Sequence, residues 1–174
     1  MQKQAEIATK YDAVVEAPFG LIAVLTHGMQ VDILFLGHAS VELKEAPAKI
    51  AQQIAAQIQT YLDNANIGFN LPLVYKGTAF QRRVWSAISA IPLGQTRTYS
   101  ELAAQIGSGP RAVANACGAN HLPLVVPCHR VVAKNGLGGF MGGKEAGLKI
   151  KKWLLQHEGA MNKKGQLKQE SRTA

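Results

Sequence analysis

Residues 98–118 read TYSELAAQIGSGPRAVANACG, and this stretch decides the fold class of the chain's second half. Thr98 and Glu101 match a capping box, in which a hydroxyl and a carboxylate three residues apart satisfy the free N–H groups at a helix start. A helix is therefore predicted from Thr98 to about Ile106. Gly107-Ser108-Gly109 gives a tight turn, and Pro110 stands where a second helix, Arg111 to about Gly118, can begin without losing a hydrogen bond. Helix, glycine turn, helix is a helix-turn-helix pattern. The second helix carries small side chains (Ala112, Val113, Ala114, Ala116) instead of the bulky polar ones that read a major groove. Such a surface suits close, shape-tolerant contact, as in a minor groove. It equally suits close packing against another helix.

Upstream, Phe80, Val84, Trp85 and Ile88 form one apolar helical stripe, broken by Pro92-Leu93-Gly94. Residues 67–78 carry a Pro and two Gly and read as a connection. Before them, residues 11–16, 20–26 and 31–36 are β-rich and separated by short turns, as in an antiparallel meander. A helix from about Ala46 to Leu62 follows, with Ile50, Ile54, Ile58 and Tyr61 on one face. Downstream of Asn120 the chain is extended and Pro-punctuated through Cys128. A glycine-rich loop at 136–143 then leads to a last helix, about Lys144 to His157, that buries Leu148, Ile150, Trp153 and Leu154. The predicted class is α+β: an N-terminal domain over 1–75, an antiparallel sheet with a helix, and a mostly helical domain over 76–160. Residues 161–174 are polar and expected to fray.

Across 174 residues, nearly half are hydrophobic and 17% are charged, a folding composition. The net charge of +8 suits a polyanionic partner such as nucleic acid, or an anionic membrane surface. The start is polar and no apolar run reaches transmembrane length, so the expected compartment is the cytosol, where thiols stay reduced. The two cysteines, Cys117 and Cys128, cannot make a disulfide framework. Cys117 falls at a buried helix position and is expected to be inert.

Cys128 lies between Pro127 and His129-Arg130. A thiolate is the reactive form of cysteine, and basic neighbours raise its population, though neighbours in sequence need not face one another. Cys117, His121, Cys128 and His129 could supply four metal ligands, but the spacing lacks the close pairs of zinc modules. No metal is expected.

The run Val126-Pro127-Cys128-His129-Arg130-Val131-Val132 resembles the active-site signature of the O6-alkylguanine-DNA alkyltransferases, also called methylated-DNA–protein-cysteine methyltransferases. Phe80-Gln81 through Val84-Trp85, Thr98-Tyr99, Arg111-Ala112-Val113, Asn120 eight residues before the cysteine, and the ending Trp153 to Gly159 are similar to the family as well. The resemblance covers residues 78–160; the N-terminal part shares only a general layout. It implies direct-reversal DNA repair: an alkyl group passes from O6 of guanine, with O4 of thymine a secondary candidate, onto Cys128. A thioether is too stable for simple hydrolysis and no resolving cysteine is apparent, so each molecule would act once.

The family pattern assigns His129 as the base, through a water, and Glu158 as the group that orients it. It makes Tyr99 a proton donor to the leaving guanine. The carbonyls of Cys128 and Val131 would accept from the exocyclic amine, and backbone N–H near Met141 would address O6. Pro123, Met141 and the glycine loop would line the pocket. Asn120 would hold the cysteine segment. Arg111 would fill the gap left by an everted base, with Ala112 beside it on the DNA face. Bland alternatives are a packing role for Tyr99, a surface carboxylate at 158, a plain helix cap at 120 and a simple phosphate contact at 111. No cofactor is implied; the partner is double-stranded DNA, met by a monomer. Met141, Phe140 and Gly118 depart from residues some members carry, which bears on size selectivity and DNA affinity. The competing classes are a damage sensor without chemistry, a helix-turn-helix regulator and a Cys-His hydrolase.

Overall fold

The computed structural model describes residues 9–38, 40–140 and 145–168. The first half is built on strands β1 (Lys10–Tyr11), β2 (Ala13–Ala17), β3 (Gly20–His27), β4 (Gln30–Gly37) and β5 (Glu42–Leu43). β2, β3 and β4 form an antiparallel sheet in sequence order, with Ala17 opposite Gly20 and His27 opposite Gln30, so both hairpins close over two residues. Gly28 takes φ +59 in the second hairpin, the left-handed conformation that short hairpin turns need. β1 pairs parallel with β5. Buried Asp12, beside this pair, accepts from Thr26 N and Oγ1 (2.8 and 3.0 Å), Lys44 Nζ (3.1 Å) and Ala48 N (3.1 Å). Burial alone would raise its pKa, but these donors hold it below the ordinary value.

Helix α1 (Ile50–Asp63) buries Ala51, Ile54, Ile58 and Tyr61, a three- and four-residue rhythm that lays one face on the sheet. The connection that follows is more than a linker. Val31 of β4 donates to Pro72 O at 2.8 Å and accepts from Val74 N at 2.9 Å, so residues 72–74 run along the sheet edge. Such a pairing is long-range and leaves no local signal.

The second half begins with α2 (Ala79–Ser89), opened by a capping box of Thr78 and Gln81 and burying Val84, Trp85 and Ile88. β6 (Arg97–Thr98) leads straight into α3 (Tyr99–Ile106), capped by Thr98 and Glu101 as predicted and ended by Gly107 at φ +69. Pro110 stands at the start of α4 (Pro110–Gly118). The Trp85 indole donates to Ala116 O at 2.8 Å and fixes α4 against α2. After a 3₁₀ turn at Cys128–Arg130, β7 (Val131–Val132) pairs parallel with β6, and α5 (Glu145–His157) completes the helices. The fold is mixed α and β, with a small sheet and packed helices. One continuous apolar core joins the two halves, from Val15 and Ile22 through Ile54 and Trp85 to Leu154. Each fully buried aliphatic side chain there contributes roughly 1.5–3 kcal/mol. Among the described residues, no helix is long and apolar enough to cross a membrane.

Residues 161–168 do not fray as expected. Met161 is 3% exposed and packs with Val132, Leu155 and Ala160, and the chain folds back so that Lys168 N reaches Ala160 O at 3.0 Å.

Candidate active site

The extended run after α4 ends at Pro127, and Cys128 opens the 3₁₀ turn. Asn120 fastens this segment. Its amide donates to Val126 O at 2.9 Å and to Cys128 Sγ at 3.1 Å, while its oxygen accepts from Leu122 N at 2.9 Å. Cys128 is only 6% exposed, yet it lines a cavity of about 560 Å³ with Tyr99, Cys117, Pro123, Gly139 and Phe140, and with β4 residues on another wall.

His129 and Glu158 are both buried, with Nε2 2.8 Å from Oε1 and the approach bent away from a straight hydrogen bond. The Nδ1 atom of His129 is buried and meets no hydrogen-bond partner among the described residues. The Phe140 ring packs edge-on against the imidazole. Arg130, half-buried, turns away from the thiol and holds Glu158 through Nε and a terminal nitrogen, while its other terminal nitrogen donates to Ile91 O at 2.7 Å. The Tyr61 hydroxyl of α1 donates to Glu158 Oε1 at 2.8 Å. Burial alone would raise the Glu158 carboxyl, but His129 and Arg130 hold it well below the carboxylate range. It is therefore ionised at neutral pH.

The β6–β7 pairing sets Thr98 beside Val132, and so brings Tyr99, at the start of α3, over the cysteine segment. Its hydroxyl donates to Gly139 O at 3.3 Å. Burial, then negative charge at Cys117 and Cys128, pushes the phenol up to about 12, so it keeps its proton at neutral pH. Lys151 of α5 is fully buried and donates to Val131 O at 2.6 Å and Gly139 O at 3.0 Å. Burial lowers it to about 8, against the pull of the two sulfurs.

Thus Tyr99, Asn120, Pro123 and Cys128 meet at one cavity. His129, Glu158 and Val131 are buried outside its lining, and the Val131 carbonyl already accepts from Lys151. Arg111 is exposed at the first turn of α4 and Ala112 half-buried; neither lines the cavity. Met141 lies outside the described residues. Cys117 is not sequestered: it is half-buried and lines the cavity. The Cys117 thiol, followed by burial, pushes the Cys128 thiol well up, against Asn120 and Lys151. No group of three metal-ligating side chains occurs among the described residues.

The family model described as 6-O-methylguanine DNA methyltransferase, DNA binding domain, matches residues 79–160. A probable methylated-DNA–protein-cysteine methyltransferase of Acanthamoeba polyphaga mimivirus is 41% identical, over 83% of this chain and 94% of its own length. The chain belongs to the methylated-DNA–protein-cysteine methyltransferase family. The constitutive family member of Bacillus subtilis is 37% identical over 85% of this chain and 94% of its own. The crystal structure of the Mycobacterium tuberculosis O6-methylguanine methyltransferase superposes with a TM-score of 0.71 at 31% identity, covering 84% of this chain and 90% of that one. A second crystal structure of that protein, in complex with DNA, gives 0.69 at 32% identity, covering 83% and 90%.

Sequence reasoning missed four groups in this family member: Tyr61, Cys117, Arg130 in its carboxylate-holding role, and Lys151. Lys151 had a findable signal. It falls in line with Gly147, Leu154 and Glu158, in the rhythm of the buried face of α5.

Proposed function

We propose that this protein reverses alkylation of DNA directly, moving a methyl or other alkyl group from O6 of guanine onto Cys128, once per molecule. The observations that carry the reading are Cys128 lining a cavity and, directly after it in the chain, a buried His129 paired with Glu158. His129 Nδ1 takes the thiol proton through a water, and ionised Glu158 stabilises the resulting imidazolium. The thiolate attacks the alkyl carbon; the carbon–sulfur bond forms as the carbon–oxygen bond breaks. The electron pair leaves on guanine, and the protonated Tyr99 phenol donates to it. The thioether is permanent, so the protein is a reagent as much as an enzyme.

The target guanine is turned out of the duplex to reach a sulfur this deep. The pair α3 and α4 acts as the helix-turn-helix that meets DNA, with Ala112 close to the groove and Arg111 filling the vacated stack. Residues 76–160 are the DNA-binding and transfer unit and 1–75 an N-terminal α/β unit that shares its core. The protein acts as a monomer in the cytosol, and O4 of thymine is a secondary substrate. The Val131 carbonyl retains a second lone pair for the guanine amine beside its bond to Lys151.

The test is mass spectrometry after incubation with duplex DNA containing O6-methylguanine. One methyl group on the peptide that holds residue 128, absent in Cys128→Ala, is expected. Methylation elsewhere, or repeated turnover, refutes the reading.

A further inference from the structure

The cavity that Cys128 lines is larger than a methylated guanine requires. A cavity of roughly 150 Å³ takes a benzene ring, so the two fused rings of guanine need no more than about 300 Å³. The volume here is about 560 Å³. A methyl group leaves most of the remainder unfilled. Apolar side chains bound this space: Pro123 and Phe140 from the second half of the chain, and Ile33 and Phe35 from β4.

Ile33 and Phe35 lie two residues apart on one strand, so their side chains share a face of the sheet. Both are half-buried, whereas Leu34 and Leu36 belong to the core. The strand is anchored near the sulfur by two hydrogen bonds. Leu34 N donates to His121 O at 3.0 Å, and the preceding residue, Asn120, donates to Cys128 Sγ at 3.1 Å. β4 lies outside the matched stretch 79–160, so this wall is the N-terminal unit's own contribution.

We propose that Ile33 and Phe35 are specificity-determining residues, forming the part of the cavity that receives the O6 substituent and admitting an apolar arm as large as a benzyl group. The proposal rests on Cys128 being the alkyl acceptor. The sulfur bonds to the benzylic carbon as that carbon's bond to O6 breaks, and the electron pair leaves on guanine, as with methyl. The ring of the arm lies among apolar side chains instead of water, with the rings of Phe35 and Phe140 to pack against.

The experiment measures single-turnover transfer to the full chain from two duplexes that differ only in the substituent, O6-methylguanine and O6-benzylguanine. The benzyl-to-methyl rate ratio is taken within each protein preparation, so that loss of folded protein cancels. Benzyl transfer to Cys128 of the unaltered chain is expected. Ile33→Trp and Phe35→Trp fill the space of the arm and should lower the ratio by roughly tenfold or more, the scale on which a pocket rejects a group that no longer fits. Met29→Trp, at an exposed position outside the lining, should leave the ratio where it was. Methyl transfer without benzyl transfer overturns the proposal and leaves the repair reading standing, as does a ratio that neither variant of the β4 wall moves. Transfer of neither group to Cys128 overturns both.

Discussion

Arg130 grips Glu158 with two parallel hydrogen bonds, Nε to Oε2 at 2.9 Å and a terminal nitrogen to Oε1 at 3.0 Å. The residue that adjoins His129 in the chain therefore serves the carboxylate, not the thiol. A fork of this kind fixes both position and charge. It keeps Glu158 anionic while His129 faces it from the other side.

Breaking the fork strands a buried charge. Arg130→Met should lower folding stability by about 3–5 kcal/mol, the usual cost of leaving one partner of a buried pair alone. Urea unfolding should show a lower midpoint with an unchanged slope.

Acid should act through the same carboxylate. Glu158 has a folded pKa below its unfolded value of about 4.3, so across that window the unfolded chain binds more protons and stability rises with pH. Its contribution is fully present above the unfolded value and disappears as pH falls through the folded one. Glu158→Gln should flatten the acid limb of a plot of urea midpoint against pH. Part of the slope should survive, because Asp12 shifts in the same direction.

Tyr99→Phe removes the donor to the leaving base. Among the described residues its hydroxyl donates only to the exposed Gly139 carbonyl, at 3.3 Å, so stability should hardly change. Single-turnover methyl transfer should slow by roughly 10²-fold or more, the scale of a lost general acid.

Gly138 reaches the same phenol from the backbone. It takes φ +71, and a Cβ there would lie 2.8 Å from Tyr99 Cε2 and 3.1 Å from the Ala133 nitrogen. Gly138→Ala should cost on the order of 1–3 kcal/mol in backbone strain. It should also displace the ring and slow transfer, which kinetics and thermal melting would read together.

Arg111 separates docking from chemistry. It is exposed and outside the cavity lining, so Arg111→Ala should slow reaction with alkylated duplex DNA while leaving reaction with the free alkylated base unchanged. If the side chain meets a phosphate instead of filling the stack, the salt slope of DNA binding should fall by about 1.

Much of this architecture is visible in the chain itself. The stripe through Ile54, Ile58 and Tyr61 announces α1, and Thr98 with Glu101 marks the start of α3, because periodicity and capping are local physics. What stays hidden is long-range. Val31 against residues 72–74, and Arg97-Thr98 against Val131-Val132, are pairings no local pattern encodes. Polar groups used from inside the core are hidden as well. Tyr61 reads as one more core aromatic, Lys151 as one more surface cation, and Cys117 as a small filler, since burial and partner choice are decided by tertiary packing. The Cys128 segment was legible as a motif, but the cavity it shares with Cys117 was not.

The Tyr61 hydroxyl hands its hydrogen to Glu158 across 97 positions of chain. A fragment cut to begin at residue 79, where the family match starts, would inherit the carboxylate without that donor and would bare the apolar flank that α1 now covers. Severing the first seventy-odd residues would therefore detune the far end of the proton relay, and a truncated repair reagent should be weaker at its chemistry as well as at its folding.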